Sequence, residues 1–258
     1  MKLTVTVITY NEAEHIAAAL DSVAWADEII VVDSGSTDGT VALARSRATR
    51  VVEREWHGYS DQKNFAADAA SHDWVLSMDA DERVTPALAR EIRALLDRGP
   101  GAEGYRIRRV SHYLGRWIRT TDWSHDYQLR LYNRRAGRWN GLKIHESFRL
   151  HRGKPGRLSG ELEHYAYRDI AHHLQKIDGY TTLIADQWFA EGRRTSAPAL
   201  VVHPLFAFLR NFVLRRGFAD GVTGLLISAL NSYYVFLKLA KLWERQRGLA
   251  RGTPSPPR

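Results

Sequence analysis

Residues 73–82 read Asp-Trp-Val-Leu-Ser-Met-Asp-Ala-Asp-Glu. An apolar run, Trp74-Val75-Leu76, leads into Asp79 and Asp81 with Ala80 between them. The pattern predicts a buried strand that leaves a sheet and carries two carboxylates to its exit. In an extended chain residues i and i+2 point to one side, so both carboxylates face one place. Adjacent anions repel, and a divalent cation relieves that repulsion. A hard cation held by only one or two carboxylates keeps coordination sites for phosphate oxygens. The chemistry implied is a metal that grips a phosphorylated substrate. The competing reading is a solvated turn, with Asp81 or Glu82 favouring the first turn of a helix that starts near Pro86.

A further carboxylate, Asp33, ends the apolar run that starts at Glu28. Gly35 and Gly39 let the loop after it bend close to a ligand. A carboxylate placed there accepts hydrogen bonds from a base N–H or a ribose hydroxyl, although a capped strand-to-helix turn accounts for the same residues. The loop has neither the Gly-Lys-Ser/Thr ending of a phosphate-binding loop nor Gly-x-Gly-x-x-Gly, which argues against ATPase and dinucleotide readings. Gln62-Lys63-Asn64 opens a helix, where a cation and an amide can meet a diphosphate. A solvated helix face is the alternative for Lys63.

The elements that must position these residues alternate. Strands are expected at Leu3–Tyr10, Glu28–Asp33, Arg50–Glu53 and Trp74–Met78, each followed by a helix, at Ala13–Val23, Thr37–Arg47, Ser60–Ala70 and Pro86–Asp97. This rhythm predicts an α/β fold with a mostly parallel sheet and helices on both faces. Ligands bind beyond the carboxyl ends of such strands, where Thr9–Glu12, Asp33–Thr40 and Asp79–Asp81 all fall. Gly99-Pro100-Gly101 breaks the rhythm. Strands at Tyr105–Val110, Tyr127–Asn133 and Arg157–Tyr165 then build a mixed subregion, followed by helices over Ile170–Glu191, Val201–Leu214 and Asp220–Glu244. The expected partition is a ligand-binding α/β half at 1–98, a mixed half of the same domain at 99–192, a basic helical extension at 193–250 and a disordered tail at 251–258.

Thr9-Tyr10-Asn11-Glu12, Asp33–Thr40 and Asp79-Ala80-Asp81 come in the order and spacing of a known family. The chain resembles the family 2 glycosyltransferases, inverting enzymes of the GT-A fold. The resemblance covers roughly residues 3–95. Gln62-Lys63-Asn64, Asp79–Glu82, His145-Glu146 and Gly217-Phe218-Ala219-Asp220-Gly221 extend it, and they are similar to the bacterial lipopolysaccharide-core β-1,4-glucosyltransferases. The resemblance implies a nucleotide-sugar donor, UDP-linked for preference, held by Thr9, Tyr10, Asn11, Glu12, Asp33, Ser34, Lys63, Asp79 and Ala80. It implies a divalent cation, Mn²⁺ or Mg²⁺, on Asp81 with help from Asp79. His164 would complete the metal shell, which suits Mn²⁺ better, or else it packs beside Tyr165 and Tyr167. Inversion needs a base for the acceptor hydroxyl and a stabilised leaving diphosphate. Glu146 is the expected base, with His145 orienting it or binding acceptor. A surface carboxylate paired with Arg149 is the alternative for Glu146. Arg106, Arg108 and Arg109 either meet acceptor phosphates or form a solvated strand face.

The expected activity is transfer of a hexose, glucose for preference, to a lipid-anchored glycan such as lipopolysaccharide core. The competing readings are a non-catalytic membrane adaptor and a sugar-nucleotide pyrophosphorylase. The latter calls for a Gly-rich basic loop where Thr9–Glu12 stand.

Charge distribution adds a partner. Residues 190–258 carry 11 Lys and Arg against three acids, which is the whole net charge of +8, while residues 1–189 balance at 26 and 26. The helices Val201–Leu214 and Val222–Leu242 are apolar, with Arg210, Arg215 and Arg216 flanking the stripe of Leu205, Phe206, Phe208, Leu209, Phe212 and Val213. Their uninterrupted apolar runs fall short of the ~20 residues of a membrane span. An amphipathic anchor on the anionic inner leaflet is expected, with packing on the catalytic domain or on a second copy as a homodimer the alternative. No nucleic-acid motif is present. The chain has no Cys, which excludes disulfides, thiolate metal sites and Cys nucleophiles. Lys2 followed by Leu3-Thr4-Val5-Thr6-Val7-Ile8 is not a signal-peptide pattern. The expected location is the cytoplasmic face of the inner membrane, as a peripheral protein.

Overall fold

The computed structural model describes residues 1–141 and 146–248. The expectations for His145 and for disorder at 251–258 lie outside the described residues. The strands are β1 (Leu3–Thr9), β2 (Glu28–Asp33), β3 (Arg50–Glu53), β4 (Trp74–Asp79), β5 (Glu82–Val84), β6 (Gly104–Tyr113), β7 (Arg116–Ile118), β8 (Tyr127–Asn133), β9 (Gly137–Trp139), β10 (Phe148–Leu150) and β11 (Gly156–His164). The α-helices are α1 (Ile16–Asp21), α2 (Thr40–Arg45), α3 (Tyr59–Asp68), α4 (Pro86–Arg98), α5 (Ile170–Ala190), α6 (Ala199–Leu209) and α7 (Gly221–Gln246). They divide into two units. The first comprises Met1–Val110 and His125–Tyr165, and the second Ser111–Ser124 with the chain from Ala166 onward. This division interleaves along the chain, whereas the expected cuts at 98 and 192 follow sequence order.

In the first unit the strand order is β3-β2-β1-β4-β8-β6-β11-β5. The first four are parallel, and β8 joins β4 antiparallel. This is the expected α/β sheet, with a parallel half that carries β1, β2 and β4 and an antiparallel half added at β8. β1 and β2 are buried along their whole length, as central parallel strands covered on both faces must be. Alternation splits their side chains between two cores. Val5, Val7 and Val31 pack with Ile16 and Leu20 of α1 and with Leu88, Ile92 and Leu96 of α4. Ile8, Ile30 and Val32 pack with Ala66 and Ala67 of α3 and with Trp139 and Phe148. Fully burying each large aliphatic side chain stabilises by about 1.5–3 kcal/mol. Register then aligns the functional strand ends, with Thr9 opposite Asp33 and Ile8 opposite Asp79.

Local signals set α4. Thr85 caps it by accepting from the Leu88 amide, Pro86 opens it, and Gly99 ends it at φ +88°. β11 lies close against this helix at Gly160, where an added Cβ would stand 2.6 Å from Leu88 Cα. α1 starts at Ile16, three residues later than expected. The preceding amides bond to the loop after β2 and to the start of α2 instead: Glu12 N donates to Thr40 Oγ1 at 2.8 Å and Ala13 N to Asp38 Oδ2 at 3.2 Å. Glu82 is not in a helical first turn. It lies in β5, fully buried, opposite His164 of β11.

In the second unit α6 and α5 both pack on α7. Gly224 of α7 makes the closest approach, since a Cβ there would meet the Gly217 carbonyl oxygen at 1.8 Å. Asp122 organises polar contacts: its carboxylate takes Arg210 Nη2 at 2.6 Å, Arg215 Nη1 at 2.7 Å, and the Asn211 and Asn231 amides at 3.1 Å each. The chain over Ala199–Leu214 is a shorter apolar helix, while Gly217–Gln246 is long and apolar enough to cross a membrane by length and composition. The latter revises the expectation from uninterrupted runs, which a few scattered polar residues cut short. Val201, Val202, Leu205, Phe206 and Leu209 of α6 are each more than half exposed.

Candidate active site

The site lies in the first unit, at the carboxyl ends of β1, β2 and β4. After β1, Tyr10 is exposed and Asn11 takes φ +53°. Asn11 Oδ1 accepts from Thr37 N and its own amide donates to Ser36 Oγ, both at 2.8 Å. The turn Thr9–Glu12 is thereby stitched to the loop after β2. Thr9 is buried and its carbonyl accepts from Ser34 N at 2.9 Å.

Asp33 is brought to this edge as expected, but its carboxylate is wholly buried and faces its own loop. It accepts from Gly35 N at 2.9 Å and Ser36 N at 2.8 Å, and from the Ser36 hydroxyl. Gly35 sits at φ +88°, which a side chain rarely adopts. Asp33 thus shapes the loop, and the half-buried Ser34 lies beside it. Ser34 Oγ accepts from Gln62 Nε2 at 3.0 Å, so α3 is tied to the same loop.

The triplet after β4 separates its members. Ala80 is buried in the larger core, which leaves only its backbone for a ligand. Asp79 stands between cations: Lys63 Nζ is 3.0 Å from Oδ1 and Arg130 Nη2 is 2.6 Å from Oδ2. Burial alone would raise the Asp79 carboxyl; Arg130, Lys63 and Arg109 outweigh it and hold the group well below the usual carboxylate range. With an oxygen on each of two cations, Asp79 is poorly placed to ligate a metal. Asp81 instead faces His164, with Oδ2 3.6 Å from Nε2 and both side chains about 15% exposed. The backbone holds the pair, since Tyr165 N donates to the Asp81 carbonyl at 2.9 Å. Among the described residues no three His, Asp or Glu side chains converge at metal-ligand spacing. A carboxylate oxygen and an imidazole nitrogen fit a divalent transition metal, with the remaining positions open to phosphate and water.

Glu146 lies on the loop between β9 and β10, 23% exposed, with Oε1 3.2 Å from Lys63 Nζ. Its ion-pair partner is Lys63, not the Arg149 weighed from the sequence. On either side of Glu146 in sequence, the Asn140 amide donates to Ser147 O at 3.1 Å and the Asn140 side chain to Ser147 Oγ at 3.0 Å.

A line of alternating charge continues from Asp79. Arg130 Nη2 also meets Glu82 Oε1 at 2.6 Å, Glu82 Oε1 meets Arg109 Nη1 at 3.1 Å, and Arg109 Nη2 meets Asp126 Oδ2 at 2.7 Å. Glu146, Lys63, Asp79, Arg130, Glu82, Arg109 and Asp126 therefore form one chain of seven charges. Burial would lower the Arg130 and Arg109 guanidiniums, but the facing carboxylates raise both. Arg130, Glu82 and Asp126 were not read from the sequence as site residues. The signal for Arg130 was present: an arginine between Leu129 and Leu131 in a strand needs a buried anion. Of the other two strand arginines, Arg108 pairs with Glu161 at 3.3 Å and Arg106 is exposed.

Comparison with known proteins gives the family and the fold. The sequence profile of "Glycosyl transferase family 2" matches residues 4–153. A lipopolysaccharide core biosynthesis glycosyltransferase of Rhizobium meliloti (strain 1021) is 31% identical over 258 residues, which covers 97% of this chain and 95% of the relative. An uncharacterized glycosyltransferase of Rickettsia typhi is 32% identical, covering 94% and 87%. Among solved structures, S. aureus TarS 1–349 superposes at a TM-score of 0.50 with 18% identity, over 95% of this chain and 84% of that one. That similarity is one of fold.

Proposed function

We propose, because this chain belongs to glycosyltransferase family 2, that it moves a hexose, glucose for preference, from a UDP-sugar to a lipid-anchored glycan of the lipopolysaccharide-core type. The observation that carries this reading is the position of Glu146. A loop carboxylate distant in sequence is tied through Lys63 to Asp79, at the strand end where a donor binds. The lipopolysaccharide-core relative favours the acceptor class.

On this reading Thr9, Tyr10, Asn11, Glu12 and Ser34 line the donor side. Asp33 keeps that loop in shape, and the exposed Tyr10 ring offers a face to the nucleobase. Asp81 and His164 would hold the divalent cation, Mn²⁺ or Mg²⁺. Bound there, it supplies Lewis-acid stabilisation of the leaving diphosphate. Glu146 takes the proton from the acceptor hydroxyl as that oxygen attacks the anomeric carbon. Asp79 neutralises Lys63 and Arg130 and fixes the strand end around the sugar phosphate.

The second unit supports placement on the cytoplasmic face of the inner membrane. Leu205 and Phe206 are 57% and 58% exposed on α6, and contiguous apolar exposure of this kind marks a docking surface. Arg193 and Arg194 precede the helix and suit anionic lipid. The reaction is tested by incubating the protein with a panel of nucleotide sugars, Mn²⁺ and truncated-core lipopolysaccharide in vesicles. One sugar is expected to transfer, in a way that chelation abolishes. Absence of transfer from every donor, with no binding of any nucleoside diphosphate, contradicts the reading.

A further inference from the structure

Lys63 is expected at the opening of a helix to meet a diphosphate, yet its side chain is only 1% exposed. Its ammonium contacts two carboxylates, Asp79 at 3.0 Å and Glu146 at 3.2 Å, and stands 4.7 Å from the centre of the Trp139 ring. The next residue, Asn64, grips the backbone of Trp139 in both directions. Trp139 N donates to Asn64 Oδ1 at 3.0 Å, and Asn64 Nδ2 donates to Trp139 O at 3.3 Å. Two consecutive residues of α3 therefore hold the end of β9 and the Glu146 carboxylate. An ammonium has three donors, and the near neighbours of this one are two anions and a ring face.

We propose that Lys63 is a positioning residue that fixes the Glu146 carboxylate toward the acceptor hydroxyl, and is not a ligand of the leaving diphosphate. This rests on Glu146 being the base. The physical reason is that a reacting group displaced by about 1 Å can cost 10²-fold in rate, and Lys63 is the ion-pair partner that ties the Glu146 oxygen to the sheet.

The test is a double-mutant cycle with two readouts on the full chain: UDP affinity in Mn²⁺ by calorimetry, and transfer to truncated-core lipopolysaccharide. Lys63→Met is expected to keep the UDP Kd within about threefold while kcat falls about 10²-fold. Lys63→Arg should recover part of kcat. Lys63→Met combined with Glu146→Gln should be no slower than Glu146→Gln alone, because the two act as one unit. A tenfold loss of UDP affinity with kcat unchanged, or a double variant slower by the product of the single losses, overturns the proposal. If Lys63→Met does not give a cooperative thermal transition, Lys63→Arg carries the same comparison: retained UDP affinity with lowered kcat supports it, and lost UDP affinity overturns it. Should Glu146→Gln transfer at the wild-type rate, the base assignment itself fails. Should Glu146→Gln be slow and Lys63→Met fast, the Lys63 role alone fails.

Discussion

Arg130 donates from Nη2 to Asp79 Oδ2 at 2.6 Å with its side chain 3% exposed. The same nitrogen reaches the fully buried Glu82 at 2.6 Å. Asp79 is thus held by the protein before any substrate arrives, and the strand end that presents Asp81 is fixed by β8.

Removal of Arg130 takes the guanidinium that joins them from the buried Glu82 and the partly buried Asp79, leaving Arg109 and Lys63 as their remaining cations. Breaking a buried pair in this way costs about 3–5 kcal/mol. Arg130→Met is therefore expected to lower the urea midpoint steeply. Arg45→Ala removes the exposed Arg45–Glu53 pair, 64% and 55% exposed, and should cost under about 1 kcal/mol. Equilibrium denaturation of the two variants checks the contrast.

The metal assignment separates the two aspartates. Asp81→Asn should abolish the gain in UDP affinity that Mn²⁺ provides, measured by calorimetry with and without the ion. Its fold should survive, because Asp81 is held through its backbone carbonyl. Equal UDP binding with and without Mn²⁺ in the wild-type chain would remove the cation from the account.

His173 gives the second unit a pH dependence. Burial is the main cause that pushes this imidazole down to about 4 from 6.5, with Lys176 and His172 adding to it. Its Nδ1 lies 3.0 Å from the Tyr113 hydroxyl. A depressed folded pKa means the unfolded chain takes the proton first. The stability His173 contributes is full above about pH 6.5 and declines as pH falls toward 4. His173→Phe should flatten the part of the pH–stability profile between those values, read by thermal melts in a pH series.

The apolar face of α6 predicts lipid binding. Leu205→Glu and Phe206→Glu place charges at positions more than half exposed, so folding should be kept. Flotation with anionic vesicles should fall for both, while vesicles of neutral lipid should bind the wild-type chain more weakly.

Much of the first unit was legible because its strands are continuous apolar runs that end in polar clusters. β3 and β8 occur over the residues expected, and the strand carrying Asp79 extends only one residue beyond its expected end. The short strands β5, β7, β9 and β10 were not legible. Three residues carry no periodicity, and their pairing is set by tertiary register, as Glu82 opposite His164 illustrates. The sequence also could not say what Lys63 faces. A lysine at a helix opening reads as solvated or anion-binding, and only the fold brings Glu146 to it. Asp33 was placed correctly at a strand end, but the direction of its carboxylate follows from the backbone of the Gly35 turn.

The central claim is that Glu146 is the base of an inverting sugar transfer. Its most direct measurement is Glu146→Gln, assayed for UDP binding in Mn²⁺ and for transfer to truncated-core lipopolysaccharide. The account predicts that UDP affinity is retained while transfer falls by about 10²–10⁴-fold, the range for loss of a general base. Transfer at the wild-type rate, or loss of UDP binding together with transfer, would contradict it.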